Sequence, residues 1–187
     1  MSQVKPIYIF LLLVAVLFYA YIKISNPYRK YSTSSFWESA SVESVYEIPE
    51  EALQLGNKNG PVVMWAAIGS SDPSVLSALK DRGVDINESD GIFKGTPLTG
   101  AAGYAKNPEM LTELVRLGAD IHKTVYSDET ALMIAAQYNN NPYIISTLIE
   151  LGSKVRAKNS FGKTSLDLAK RNNNEVAIAE LESALQN

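Results

Sequence analysis

The sequence predicts an all-α protein: a solenoid of about five stacked helix pairs, preceded by one N-terminal transmembrane helix. Short motifs recur every 34 to 35 residues, which is a period typical of stacked helical repeats. Within each period, apolar residues follow helical spacing. Ahead of the repeats, residues 6–22 carry no charge and are mostly apolar, as in a membrane span.

The first element is a short tail, residues 1–5, followed by a predicted transmembrane anchor, residues 6–24. At about 1.5 Å per residue, the uncharged stretch 6–22 reaches roughly 26 Å, slightly less than a hydrocarbon core of about 30 Å. Lys5 and Lys23 can close that gap by snorkelling. We therefore expect residues 6–24 to lie in a lipid bilayer.

A cleaved signal peptide and a buried core helix are the alternatives to a permanent anchor, and the core helix is disfavoured because the domain that follows is complete without it. Cleavage requires small residues one and three positions before the cut. The best such site, Phe18-Tyr19-Ala20, has a large ring at the outer position, which favours retention.

Positive charges flank the anchor on both sides and are nearly balanced, so they only weakly set its orientation. An uncleaved export signal usually keeps its short N-terminal tail in the cytoplasm. We therefore expect a single-pass protein of the inner (plasma) membrane, with its repeats on the periplasmic or exterior side.

The charge distribution argues against a nucleic-acid partner. Of the 17 basic residues, only Lys5, Lys23, Arg29 and Lys30 precede residue 34, whereas all 20 acidic residues follow it. The remainder of the chain carries about −7, which repels phosphate backbones. The absence of cysteine excludes disulfides and thiolate sites.

Residues 25–34 are rich in Ser, Thr, Asn and Pro and are predicted to be a linker. Ser35 and Glu38 have the spacing of a capping box, so we expect the structured domain to span 35–187.

Several kinds of residue keep the same register through the repeats. They are the alanine pairs Ala66-Ala67, Ala101-Ala102 and Ala135-Ala136, with Ala169; the threonines Thr96, Thr130 and Thr164; the glycines Gly83, Gly118 and Gly152; and the pairs Asp72-Pro73, Asn107-Pro108 and Asn141-Pro142. Paired alanines allow helices to pack closely. Asp or Asn before Pro begins a second helix, and the glycines end it in a left-handed conformation.

These motifs resemble the ankyrin repeat signature. Gly95-Thr-Pro-Leu-Thr-Gly-Ala-Ala102 and Glu129-Thr-Ala-Leu-Met-Ile-Ala-Ala136 are similar to Gly-x-Thr-Pro-Leu-x-x-Ala-Ala. The departures are Thr99 for the usual His, Pro61-Val-Val for Thr-Pro-Leu, and Lys170 for the second Ala of the last unit. The resemblance is to a bacterial-type, membrane-anchored ankyrin repeat protein. It implies units near 35–57, 58–90, 91–124, 125–158 and 159–187.

No group of residues points to catalysis, a cofactor or a metal. Phe161-Gly-Lys-Thr-Ser165 lacks the first glycine of a phosphate-binding loop and follows no predicted strand. His122 is the only histidine, so it cannot form a familiar metal site or thiol dyad. We expect a protein that is not an enzyme, needs no cofactor and has no small-molecule substrate.

The ankyrin resemblance implies that another protein binds to the loop tips and to the concave face of the first helices. The implied contact residues are Ile92, Phe93, Tyr104, Tyr126, Asp128, Gln137, Tyr138, Phe161, Lys163 and Arg171. Exposed aromatic rings are favoured at interfaces, which singles out Phe93, Tyr104, Tyr126 and Tyr138. The alternative for Tyr104 and Tyr138, which occupy equivalent positions, is that they only stack on each other.

The predicted function is therefore membrane-anchored protein binding that restrains or neutralises a partner. The alternative is a structural scaffold, or a subunit of an envelope complex.

Overall fold

The computed structural model describes residues 28–54, 60–91 and 94–186. The chain divides into two compact units, Met1–Lys30 and Tyr31–Asn187, and the account below concerns the second. The predicted tail and the anchor at 6–24 lie outside the described residues. Among the residues that are described, no helix has the length and apolar character needed to cross a membrane.

The second unit is built from helices, and its described residues include no β-strand. The α-helices are α1 (Ser34–Trp37), α2 (Val42–Tyr46), α3 (Glu50–Gln54), α4 (Val62–Gly69), α5 (Ser74–Asp81), α6 (Pro97–Tyr104), α7 (Glu109–Arg116), α8 (Ala131–Tyr138), α9 (Pro142–Glu150), α10 (Ser165–Arg171) and α11 (Glu175–Gln186). Short 3-10 helices span Arg29–Ser32 and Tyr126–Asp128.

The helices form two stacked rows. Helices α1, α4, α6, α8 and α10 pack in succession as an inner row, and α2, α5, α7, α9 and α11 pack in succession as an outer row. Because each helix pair covers the apolar side of the next, the core is continuous along the stack. The predicted all-α class is confirmed.

Inner helices approach closely because small residues face their neighbours. Both alanines of the pairs in α4, α6 and α8 are fully buried, as is Ala169 in α10. Thr96, Thr130 and Thr164 begin α6, α8 and α10, and each hydroxyl accepts a hydrogen bond from the backbone N–H three residues later. Such caps satisfy amides that have no partner within the helix.

Outer helices begin and end close to the predicted positions: α9 begins at Pro142, directly after Asn141, whereas α5 and α7 begin one residue after the proline. Asp72, Asn107 and Asn141 accept hydrogen bonds from the backbone N–H two residues later, at 3.0 to 3.1 Å. Gly83, Gly118 and Gly152 follow the helix ends with φ values of 82°, 105° and 97°. Side chains rarely adopt this left-handed conformation, which explains the recurring glycine.

The first helix pair departs from the prediction. Helix α1 begins at Ser34, and Glu38 lies at its C-terminal end, so the predicted capping box at Ser35 and Glu38 is wrong. The capping box lies instead at Ser41 and Ser44, at the start of α2. Because the N-cap is Thr33, the capping-box partner would have to be at Phe36, and Glu38 lies two residues too late.

Asparagine side chains join each repeat to the one before it. The buried amide of Asn139 donates to the carbonyls of Ala102 and Ala105, both at 3.1 Å. Asn174 repeats the arrangement one unit later, donating to Ala136 at 3.1 Å and to the backbone of Asn139 at 2.8 Å. These bonds satisfy carbonyls that would otherwise be buried without a partner.

Candidate protein-binding site

Hairpin loops precede the inner helices and form one rim of the concave face. Each is closed by a backbone hydrogen bond: Asp90 N–H to Gly95 O at 2.9 Å, Val125 to Glu129 at 2.9 Å, and Asn159 to Lys163 at 3.0 Å. Neighbouring loops are also joined, because Ser160 N–H donates to Ser127 O at 2.9 Å and its hydroxyl to Asp128.

Seven of the ten sequence-predicted contact residues lie around one groove of about 650 Å³. These are Tyr104, Tyr126, Gln137, Tyr138, Phe161, Lys163 and Arg171. We call this cavity the concave groove. The eighth, Asp128, lines a separate cavity with His122, Lys154 and Lys158. Ile92 and Phe93 lie outside the described residues.

Aromatic rings on the concave groove are unusually exposed. Tyr126 is 71% exposed, Phe161 72%, Tyr104 58% and Tyr138 54%. The rings of Tyr104 and Tyr138 also stack, with centroids 6.0 Å apart and planes 24° from parallel. The rings of this pair therefore contact each other, as the stacking alternative predicts, and more than half of each side chain still faces solvent.

The floor of the concave groove is a polar relay centred on Gln137, which is 9% exposed. Its amide nitrogen donates to the Glu129 carboxylate at 3.1 Å, and its amide oxygen accepts from Arg171 Nη2 at 3.1 Å. Asn159 also donates to Glu129, at 3.5 Å. The relay holds Arg171 in place across two repeats.

An apolar hollow of about 230 Å³ adjoins the polar part of the groove. Met64, Ile68 and Gly100 line it together with Tyr104, Val125, Ile134 and Tyr138, and the last four residues also line the concave groove. Asp90, Gly95 and Thr99 complete its lining. Gly100 allows Met64 and Ile68 to pack closely at one side of the hollow, since a Cβ there would lie 3.0 Å from Met64 Cγ and 3.3 Å from Ile68 Cδ1.

Glu129, Ile134 and Asn159 also line the concave groove, although they are not among the contact residues predicted from the sequence. Ile134 had a usable signal, because it immediately precedes an alanine pair. That position, occupied by Trp65, Gly100, Ile134 and Leu168 in successive units, faces the concave side beside the residues that follow each pair. Glu129 and Asn159 gave no comparable signal, since their contacts depend on how the loops fold.

Two carboxylates with lowered pKa values lie at a structural cap and in an ion pair. The Thr164 backbone N–H, with help from its hydroxyl, holds the pKa of Asp167 below its usual range. A hydrogen bond from Arg116 lowers the pKa of Glu113. Among the described residues, no three His, Asp or Glu side chains are grouped in a way that could hold a metal ion.

Comparison with known proteins agrees with the repeat architecture. The model of the family described as ankyrin repeats (3 copies) matches residues 63–159 and 98–181. No curated protein matches the chain. The two matched ranges together cover more than half of the chain, and ankyrin repeats generally act as protein interaction modules. The chain therefore belongs to the ankyrin repeat family.

Proposed function

We propose that this protein binds a segment of another protein in the concave groove. The observation that carries the proposal is the grouping of four exposed aromatic rings, Tyr104, Tyr126, Tyr138 and Phe161, around one cavity. Rigid amphipathic rings contribute large contact areas at low entropic cost, which favours them at the centre of interfaces. The joined hairpin loops present Tyr126 and Phe161 on a preorganised rim, which lowers the cost of binding.

The proposal includes a tether. The apolar segment 6–24 would hold the repeats beside the inner membrane, on its periplasmic or exterior side, so that they meet a membrane or envelope partner. Binding alone would restrain or neutralise that partner. No catalysis, cofactor or small-molecule substrate is part of the proposed role, and nucleic acid is not a proposed partner.

Site-specific photocrosslinking tests the groove. A photoreactive amino acid is placed at Tyr126 or Phe161 in the full-length protein in native membranes. Tyr143, which is 68% exposed and does not line the groove, serves as the matched control. We expect both groove positions to give an adduct with the same partner and the control to give none. Equal capture at all three positions would refute the groove as the binding site.

The alternative role, a scaffold or envelope subunit, predicts a different outcome. A permanent assembly would give a stable complex on size exclusion in detergent. Binding of a single restrained partner would give a complex that dissociates when the groove is altered by Phe161→Ala.

Carbonate extraction tests the tether. We expect the full-length protein to stay in the membrane pellet. Leu12→Arg together with Ala15→Arg should release it, because charges near the centre of a span oppose insertion. If the unaltered protein were extracted into the supernatant, the tether would be refuted while the groove proposal would stand.

A further inference from the structure

The concave groove and the apolar hollow that adjoins it differ in chemistry, and this difference defines the partner. The hollow, of about 230 Å³, offers space for a single aliphatic or aromatic side chain. The groove extends two inner helices further along the stack, where Lys163 and Arg171 line it.

The charged side chains of the concave groove differ in how far their own hydrogen bonds and ion pairs leave them able to contact a partner. Glu129 accepts hydrogen bonds from two amides, those of Gln137 and Asn159. Lys163 and Arg171 are both exposed, and neither has an ion-pair partner within 4.0 Å among the described residues. Lys163 lies near enough to Asp167 to contribute weakly to its lowered pKa. Arg171 keeps further N–H donors beyond the one that binds Gln137.

Lys163 and Arg171 form a positively charged wall of the groove, although the domain as a whole has a negative net charge. This wall opposes the general repulsion of acidic groups within the groove, and a guanidinium offers paired donors that fit a carboxylate. The stacked rings of Tyr104 and Tyr138 lie between the wall and the hollow, and they provide a surface for the intervening chain.

We propose that the occupant is an extended segment of a partner protein that places an apolar side chain beside Gly100 and an Asp or Glu carboxylate against Lys163 and Arg171. This inference rests on the proposed binding role of the groove and specifies the chemistry of its partner. Packed helices lie about 8–10 Å apart, so two steps along the inner row span roughly 16–20 Å. An extended chain advances about 3.3 Å per residue. The apolar and acidic residues are therefore five or six positions apart.

A phage-displayed library of random 12-residue peptides, selected against the detergent-solubilised full-length protein, tests this inference. We expect enriched peptides to share an aliphatic or aromatic residue with Asp or Glu about five or six positions away. Replacing that acidic residue with Asn or Gln in a synthetic peptide should weaken binding about tenfold, and binding should also weaken as salt is raised.

Protein variants locate the contacts. Lys163→Glu should weaken binding by about tenfold, and Gly100→Leu, whose side chain would press against Met64 and Ile68 and obstruct the hollow, should have a similar effect. The matched control is Lys154→Glu, the same change of charge in the separate cavity that contains His122, and it should alter affinity by less than about twofold. Circular dichroism and thermal unfolding identify any variant that fails to fold; the peptide substitution leaves the protein unaltered and still decides the question.

Two outcomes would overturn the inference and separate it from the proposed function. Enriched peptides that lack acidic residues but lose binding with Phe161→Ala would refute the acidic partner and leave the groove as the binding site. Peptides that bind equally well to the Phe161→Ala protein would refute both. Failure to enrich any peptide would also refute the inference.

Discussion

Single residues decide how the repeats are held together. The buried Asn139 amide uses both of its hydrogens on carbonyls of the preceding unit. An apolar replacement would leave those carbonyls buried without partners, and that penalty exceeds the net value of the hydrogen bonds themselves.

We expect Asn139→Ala to lower the free energy of unfolding by about 2 kcal/mol or more, because two buried acceptors lose their donors. Urea denaturation monitored by circular dichroism measures the change. Asn140→Ala is the control: its side chain is exposed, and it should change stability by less than about 0.5 kcal/mol. Equal effects of the two substitutions would show that Asn139 does not link the repeats.

The loop residue Ser127 has a φ of 63°, in the left-handed region that side chains seldom occupy. Ser127→Gly should therefore stabilise the protein by about 0.5 kcal/mol, after the greater freedom of glycine in the unfolded chain is offset. Its carbonyl, which accepts the bond from Ser160, is retained. Ser127→Ala keeps the strain, and thermal unfolding should show no gain for that variant.

At the scale of single residues, the sequence predicts the conformation of a residue when its contacts lie within its own helix end. The glycines that end outer helices and the threonines that begin inner ones act within a few residues of themselves. The relay through Gln137 could not be predicted, because Gln137 and Arg171 meet only after two units have stacked.

At the scale of elements, the first helix pair depends on its neighbour. Helices α1 and α2 have four and five residues, too few for independent stability. Arg82, which follows α5, donates to the carbonyls of Val45 at 2.7 Å and Ile48 at 2.5 Å. It also pairs with Glu50 at 3.2 Å, although Glu50 itself is exposed.

We expect Arg82→Met to destabilise the protein by about 2 kcal/mol, because charge-assisted bonds to those carbonyls are lost. Limited proteolysis should then cleave first within α1 to α3. Lys80→Met is the control, since Lys80 donates one exposed hydrogen bond to Leu117. If the two variants resisted the protease equally, Arg82 would have no special role in fixing the first pair.

The start of α10 predicts a dependence on pH. The capping box at Thr164 stabilises the ionised form of Asp167 and lowers its pKa in the folded state. Such a group adds stability above its unfolded pKa, near 3.9, and this contribution is lost as the pH falls through the folded value. Between about pH 5 and pH 3, Asp167→Asn should therefore show a shallower loss of unfolding free energy than the unaltered protein. Parallel urea-denaturation profiles for the two proteins would contradict this expectation.

The element boundaries show why the first pair was hard to predict. The three central units carry recurring motifs, so their helices could be predicted from spacing. Helices α1 to α3 carry none of these motifs, and α1 and α2 are positioned by packing against α4 and α5. The sequence therefore predicted that a first unit exists but not where its helices begin.

The second unit is a one-dimensional stack in which central repeats have neighbours on both sides and terminal repeats have only one. Stability in such stacks is approximately a sum of repeat and interface contributions. The fold was predictable because one period recurs along the chain. The concave groove was only partly predictable: its aromatic rim follows from repeat register, but the adjoining hollow is formed only when side chains of three successive units come together.

We expect hydrogen exchange to be slowest in α6 and α8 and fastest in α1 to α3, because terminal units can open without disrupting the centre. Mass spectrometry of the full-length protein after timed deuterium labelling measures the gradient. Uniform protection across the stack would indicate a single all-or-none unit instead.

The asparagine hydrogen bonds to preceding units affect how the repeats fold during synthesis on the ribosome. Asn107, Asn139, Asn141 and Asn174 all donate to carbonyls of the preceding unit. The backbone carbonyls of a newly synthesised repeat therefore have no side-chain donors until the following repeat has also been synthesised. Translation pausing after a complete repeat would expose an unfinished edge, whereas duplication or loss of one whole period would leave every donor matched to an acceptor.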